Sequence, residues 1–492
     1  RERFPRGSGQ QVTRFDLAQC RAPHNREGLI PFSPEHAMDQ SDTVRFLKSG
    51  RAFSSDHPVE TVETHGAYVF LCGQEAIKLK RAVSYDYMDL ATPDQRRNMI
   101  ARELELNRPG APEIYRDMQP VTQEPDGLAI NGPGPAVDWV LRMWRFPAEN
   151  ELERIAEDGG LDDALADATG VAIAAYHAQT EPRDLSGRML IADVLDELDR
   201  VFAEYRGQDG TERLAEWQAL SRQSLGQVGE LLEARGQAGH VRRAHGDLHL
   251  RNLVVIDGRP VPFDALEFDE TLGTCDVLYD VAFLVMDLCH RGLHRQACRV
   301  LDAWLREAGG EQDAGLAALP LFLSVRAAIR AMVLLQTDRA RSAPGSSARD
   351  VSAYLDLSCL ALAAPAPRLW AVGGYSGSGK SELARALAPV SGALPGAAHL
   401  ASDQLRKAGR ALDQPMEAEA YDAGHRRAVY REMFARAATM LASGHSVILD
   451  ATFTEPDLRA DALRVGRDAG VPAIGLWLDV RPDILRSRIS GR

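Results

Sequence analysis

Cysteine is scarce and unpatterned in this 492-residue chain. The six residues Cys20, Cys72, Cys275, Cys289, Cys298 and Cys359 form no C-x-x-C pair and no metal-ligand spacing. That excludes a disulfide scaffold and a zinc knuckle, and it reads as free thiols in a reducing cytoplasm. Lysine is scarcer still: only Lys48, Lys78, Lys80, Lys380 and Lys407 stand among 57 basic residues. In so arginine-rich a chain, a surviving lysine marks a place where a compact ammonium does what a planar guanidinium cannot. Positive charge is not in excess either. The net charge of −13 and pI near 5.5 argue against a standing affinity for nucleic acid, though they leave room for a local basic cleft. No stretch approaches the roughly 20 apolar residues of a membrane helix, and the Arg- and Pro-rich N-terminus has no apolar signal core. Neither a membrane nor a secretory route is expected, and no internal repeat is visible.

What is present is ordinary globular composition, 45% hydrophobic and 26% charged, over a length that implies two to three domains. The first methionine is Met38. We read residues 1–38 as a disordered segment and leave open whether it belongs to the natural product. Residues 61–71 end in a strand-like run, Cys72–Glu75 turn, and Ala76-Ile77-Lys78-Leu79-Lys80 returns as a strand with both lysines on one face. A helix is expected over Pro93–Asn107, followed by extended segments that include Trp139–Met143. From about Glu149 the pattern turns helical, near 151–179, 190–205 and 211–235, and again over 276–291, 296–308 and 318–340. Asp257-Gly258 between Leu253–Ile256 and Val261–Phe263 is a hairpin signal. Ser342–Ser347 and Ala364–Pro367 punctuate the approach to a boundary near 366. After it, strands at 369–373, 398–401, 446–449 and 473–478 alternate with helices, which implies a parallel sheet.

Two constellations carry chemistry. The first is His245-Gly246-Asp247-Leu248-His249-Leu250-Arg251-Asn252, then Phe263-Asp264 across the hairpin. Phosphoryl transfer needs held phosphates, a neutralising cation and an oriented hydroxyl. Asp247 fits the carboxylate that accepts the hydroxyl proton; Asn252 and Asp264 fit metal ligands. The order and spacing match the kinase catalytic loop and its metal aspartate. Over roughly residues 40–340 the chain resembles the aminoglycoside phosphotransferase family, which has the protein-kinase fold and phosphorylates small hydroxylated molecules. That resemblance implies that Lys78 meets the nucleotide α/β-phosphates and that Glu103 orients it, with Glu105 and Lys80 as rivals. It also implies that Trp139–Met143 is the hinge between lobes. No G-x-G-x-x-G covers the phosphates, which makes a protein substrate less expected than a small molecule. His245 and His249 read as structural hydrogen-bonders, and Asp276 and Asp280 as caps or braces of the helix that follows.

The second constellation is Gly374-Tyr375-Ser376-Gly377-Ser378-Gly379-Lys380-Ser381, a P-loop in its required strand–loop–helix context. Backbone N–H groups would cradle phosphates, Lys380 would reach the β/γ-phosphates, and Ser381 would bind Mg²⁺. Asp403 follows a strand and fits an acceptor base, with Arg406 nearby; Asp450 ends another strand and fits a Mg²⁺ orienter. Residues 368–492 resemble P-loop kinases of the gluconate-kinase, zeta-toxin and 5′-hydroxyl kinase kind. In such kinases an Arg-bearing lid and another strand follow; here only Arg486, Arg488 and Arg492 remain, and the C-terminus reads as truncated. The tandem as a whole resembles bacterial bifunctional aminoglycoside phosphotransferase/ATP-binding proteins.

The fold expected is therefore an α+β kinase-like two-lobed domain over 39–365, followed by an α/β P-loop domain with a mostly parallel sheet over 366–492. ATP and Mg²⁺ are the expected cofactors and a small-molecule hydroxyl the expected acceptor. Two other readings stay open: the P-loop half as the working kinase on a nucleoside or polynucleotide 5′-hydroxyl, and a non-enzymatic nucleotide sensor. The oligomeric state is not legible in the sequence.

Overall fold

A computed structural model of the chain describes residues 39–64, 66–85, 88–407 and 423–490. The reading of 1–38, with Cys20, lies outside them, as does Arg492. The first lobe opens with helix α1 (Ser41–Lys48) and is built on six antiparallel strands in the order β1-β2-β3-β8-β6-β7. These are β1 (Glu60–Glu63), β2 (Ala67–Cys72), β3 (Glu75–Lys80), β6 (Tyr115–Glu124), β7 (Gly127–Ile130) and β8 (Ala136–Trp144), with a ribbon of β4 (Ser84–Tyr85) and β5 (Met88–Asp89) between. The strand-like run at the end of 61–71 is β2, and the start of that stretch belongs to β1; the Thr64 N–H donates to the Ala67 carbonyl between them. Alternation then sorts the two faces of β3. Ile77 and Leu79 join Phe46, Leu47 and Phe70 in one apolar cluster, and Lys78 and Lys80 take the other face.

Helix α2 (Pro93–Asn107) lies across that second face. It starts where expected because Thr92 and Gln95 form a capping box and Pro93 needs no N–H donor there. Arg96 anchors it to β8 through a two-pronged, fully buried pair with Asp138 (2.9 and 3.0 Å). The expected hinge is displaced. Trp139–Met143 sits inside β8, paired to β3 on one side and β6 on the other, with Val140 and Leu141 fully buried as a central strand demands. The chain crosses between lobes after Trp144, through Arg145–Pro147 and a 3₁₀ turn at Ala148–Asn150.

The second lobe is helical. The stretch 151–179 is two helices, α3 (Leu152–Glu157) and α4 (Asp163–Gln179), split at Gly159-Gly160, where Gly159 takes φ 74°. Then come α5 (Gly187–Phe202), α6 (Leu214–Gln237), β9 (Val241–Arg243), the hairpin β10 (Leu253–Ile256) and β11 (Arg259–Pro262), β12 (Thr274–Asp276), α7 (Val277–His290), α8 (His294–Glu307), α9 (Leu319–Ala340) and α10 (Ala348–Leu362). One expectation is corrected here. One stretch, 313–340, does reach membrane-like apolarity, with mean hydropathy 1.8 over 18 residues; since 72% of that window is buried, its apolarity belongs to the core. And Ser342–Ser347 leads into a further helix. Asp338 holds that turn by accepting from Ser346 Oγ (2.6 Å) and the Ser347 N–H (2.7 Å), and α10 packs back on α9.

The last part is a four-stranded parallel sheet in the order β14-β15-β13-β16, from β13 (Leu369–Gly374), β14 (Ala398–Ala401), β15 (Val447–Asp450) and β16 (Ala473–Leu478). Around it lie α11 (Lys380–Leu387), α12 (Ser402–Lys407), α13 (Ala423–Ala442), α14 (Pro456–Asp468) and α15 (Pro482–Ser490). Its apolar core is continuous with that of the helical lobe: Leu369, Leu400 and Leu449 belong to the same cluster as α7, α8 and α9. Arg436 of α13 seals the seam with two 2.8 Å bonds to the buried Asp313.

His445, just before β15, makes this part acid-sensitive. Burial depresses its imidazole to about 4, while a bond to the Gly396 backbone opposes the shift. The native His445 therefore stays neutral where the unfolded chain takes up a proton, so the native state weakens as pH falls from about 6.5 toward 4, by roughly 1.4 kcal/mol per unit. Urea titrations of His445→Asn between pH 7 and 4.5 should show a flatter pH dependence than the parent. Parallel curves would refute the assignment.

Candidate functional site

Five elements converge below the first lobe. Lys78 Nζ on β3 lies 2.7 Å from Glu103 Oε1 on α2 and 2.9 Å from Asp264 Oδ1 in the loop after β11. Glu105, the rival of Glu103, is 70% exposed and pairs with Arg102, as expected two positions round the helix. Lys80 is no rival. It takes the other Glu103 oxygen at 2.6 Å and Glu267 at 2.5 Å, so one buried carboxylate is shared by both lysines. Asp264 has φ 60°; its N–H donates to Tyr115 Oη, and the next N–H donates to Asn107 Oδ1 (2.7 Å).

The charges hold each other. Burial alone would pull the Lys78 ammonium down, but Asp264, Glu103 and Glu267 outweigh it and hold it well above its ordinary value. Burial would raise Asp264 and Glu103, and the lysines hold both below the usual carboxylate range. Glu267 goes the other way, raised by burial against the pull of Lys80.

The loop 245–252 after β9 carries Asp247 and Asn252. Asn252 Nδ2 donates to the Asp247 carbonyl (2.8 Å) and to Asp247 Oδ2 (3.1 Å). Asp247 is 43% exposed at the cleft floor, with His249 Nε2 at 3.4 Å. Burial would raise its carboxyl, but His249, His245 and Arg330 hold it well below the usual range. The loop is fastened from below by Asp280, which accepts the N–H groups of His245 (3.0 Å) and Gly246 (2.9 Å) and faces His177 Nε2 at 3.1 Å. Gly246 at φ 82° packs where a Cβ would lie 3.2 Å from Gly273 Cα. Asp276 caps α7 as expected, accepting from the Leu278 N–H. Asp280 braces the loop instead of its own helix, a role that helical spacing does not reveal. His245 and His249 are hydrogen-bonders as expected, to the Phe263 carbonyl and the Arg251 N–H.

The second site lies at the carboxyl edge of the parallel sheet, where ligands of open α/β sheets bind. Gly374 turns the chain at φ 147°; a Cβ there would meet Ser378 Oγ at 2.7 Å and the Leu478 carbonyl at 3.0 Å. Gly377 and Gly379 also have positive φ, and Gly379 caps α11. Tyr375 and Ser376 are exposed on the loop. Lys380 Nζ donates to the Tyr375 carbonyl at 3.0 Å, and Arg488 of α15 reaches the Gly377 carbonyl at 3.2 Å. Asp450 at the end of β15 bonds the Ser381 side chain and sits 3.2 Å from His399 Nε2. Asp403 is 57% exposed in the first turn of α12, held by Arg406 and Lys407.

Both sites have the donors a magnesium nucleotide needs. Asn252 Nδ2 is committed to Asp247, which leaves Oδ1 without a hydrogen bond among the described residues. Asp264 offers a carboxylate beside it. In the P-loop, Ser378 Oγ is buried with no partner among the described residues, a polar atom that a phosphate oxygen would satisfy. Among the described residues no group of three or more His, Cys, Asp or Glu side chains is arranged to hold a metal ion by itself.

Residues 369–492 match the family model described as an AAA domain. Over 463 residues the chain is 28% identical to uncharacterized proteins of Mycobacterium bovis and Mycobacterium tuberculosis, covering 89% of this chain and 87% of each relative. Among solved structures it is similar to a choline/ethanolamine kinase family protein from Mesorhizobium loti (14% identical, 65% of this chain and 94% of that one, TM-score 0.40). It is likewise similar to an aminoglycoside phosphotransferase from Alicyclobacillus acidocaldarius (13%, 69% and 95%, TM-score 0.36). The front part is a strand-built lobe joined to a helical one, and the rear part is a P-loop-bearing parallel sheet within the span that the AAA-domain model matches.

Proposed function

We propose that the protein is a cytoplasmic, Mg²⁺- and ATP-dependent phosphotransferase acting on a small-molecule hydroxyl, with its front unit over 39–365 and a second ATP-binding unit over 366–492. The observation that carries this reading is the bridge from Lys78 to both Glu103 and Asp264, closed below by the Asp247–Asn252 pair. Lys78 would bind the nucleotide α/β-phosphates, with Glu103 keeping its ammonium aimed. Asp264 and Asn252 would hold Mg²⁺, which neutralises charge developing on the transferred phosphoryl group. Asp247 orients the acceptor hydroxyl and takes its proton. In the rear unit, Gly374–Ser381 would cradle phosphates, Ser381 and Asp450 would hold the cation, and Asp403 would act as base.

The acceptor's charge is part of the proposal. The carboxylates Glu153 and Asp287 beside the loop are already paired with Arg251 and Arg291. Arg330 lies one turn of α9 beyond Arg326, which donates to the Gly246 carbonyl. It is close enough to influence Asp247 and His290, and it has no hydrogen bond or ion pair among the described residues. A hydroxyl acceptor that carries an anionic group fits that guanidinium. Arg330→Gln is expected to raise KM for such an acceptor about 10-fold or more while kcat moves little, because the contact is equal in ground and transition states. A preference for cationic acceptors would refute the charge assignment.

The whole reading is tested by transfer from γ-labelled ATP to a panel of hydroxylated metabolites. Asp247→Asn should abolish product and Lys380→Ala should spare it. The reverse pattern would make the rear unit the working kinase.

A further inference from the structure

Helix α8 is covered on two faces, with Ala297–Leu301 and Ala303–Leu305 buried even though Arg299 is among them. Trp304 Nε1 on one face donates to His177 Nδ1 at 3.0 Å, and Gly170 of α4 lies so close that a Cβ would come 2.3 Å from the Val300 carbonyl. The other face meets the P-loop unit. Asp302 Oδ1 accepts the His399 N–H at 3.0 Å, Arg295 reaches Glu382 at 2.9 Å one residue beyond Ser381, and Cys298 Sγ lies 3.4 Å from the Pro395 carbonyl. His399 itself is 3% exposed and spends its imidazole on Asp450, 4% exposed, which bonds Ser381. A chain of contacts, buried at its two middle members, thus runs from the front unit to the rear cation site: Asp302, His399, Asp450, Ser381.

From this geometry we infer that Asp302 and His399 are positioning residues of the rear nucleotide site, so that the front unit completes that site through α8. His399 fixes the rotamer of Asp450 by donating from Nε2, and Asp302 fixes the strand that carries His399. Partners at this remove from a metal ligand set its orientation, and their loss typically costs about 10–100-fold in metal affinity. The inference rests on the reading of Gly374–Ser381 as a nucleotide site.

The test uses the full chain with Lys78→Met, which disables the front site, and follows binding of a fluorescent ADP analogue with and without Mg²⁺. Asp302→Ala and His399→Ala are expected to weaken Mg²⁺-dependent binding about 10-fold or more and to leave Mg²⁺-free binding within about 2-fold. His399→Gln, which can still donate to Asp450, should recover most of the loss, and Asp302→Asn, which can still accept from the backbone, should do the same. Equal loss with and without Mg²⁺ would mark a merely structural role and overturn the inference, as would unchanged binding. If Asp302→Ala does not fold, the contrast between His399→Ala and His399→Gln decides alone. If the Lys78→Met chain binds no analogue, and adding Lys380→Ala changes nothing, the nucleotide reading of the rear loop fails and the inference with it.

Discussion

Asp247→Asn is expected to slow phosphoryl transfer by about 10³-fold or more while leaving ATP affinity at the front site within about 2-fold. A positioned base contributes roughly 10²–10⁴-fold, and Asn is nearly isosteric, so the loop should survive the change. An amide oxygen can still accept from Asn252 Nδ2, and the clamp from Asp280 acts on His245 and Gly246, upstream of the altered side chain. The nucleotide contacts assigned to Lys78 and Asp264 come from β3 and the loop after β11, not from this residue. The signature is therefore a fall in kcat without a matching change in nucleotide Kd. Single-turnover transfer and equilibrium titration on the same preparation separate the two. Transfer within about tenfold of the parent would remove Asp247 from the chemistry.

The parts of this site legible in the sequence are those that a short piece of backbone fixes. Asp247 and Asn252 are five residues apart in one loop, and the P-loop glycines answer to a turn whose φ values only glycine takes easily, so residue type and spacing alone reveal them. The choice of Glu103 over Glu105 needed the helix phase, and that phase was open until α2 was set against β8 by Arg96 and Asp138. Pairings across long separations left no local trace. Lys80 meets Glu267 187 residues away, and His399 meets Asp302 97 residues away, in neither case with a motif to announce it. The resemblance alone made Trp139–Met143 a hinge, although the residues themselves read as extended; the pairing of β8 on both sides makes the segment part of a central strand. The apolarity of α9 hid behind Arg326 and Arg330, two charges that interrupt the run yet face the loop 245–252.

Asp280→Ala should produce the largest loss of stability among single changes near the site, about 3–5 kcal/mol, by removing the acceptor at the centre of a buried network. The carboxylate is fully buried and meets two backbone N–H groups and His177 within 3.1 Å, with Arg326 at 3.7 Å. Truncation leaves those N–H groups without a partner, and each unsatisfied donor costs about 1–3 kcal/mol. Burial raises this carboxyl, but His177, His245 and Arg326 hold it down at about 2. Its stabilising share is therefore complete above the ordinary carboxylate range near pH 4 and is lost as pH falls toward 2. Urea midpoints of parent and variant should differ by a constant gap from pH 7 to 5 and converge below pH 4. Asp280→Asn, which keeps one acceptor oxygen, should fall between the two. Because the same carboxylate sets the backbone of His245 and Gly246, the Asn variant should also lose activity at temperatures where it is fully folded, through misplacement of Asp247. A variant that is destabilised yet fully active when folded would show that Asp280 supports the lobe without positioning the loop.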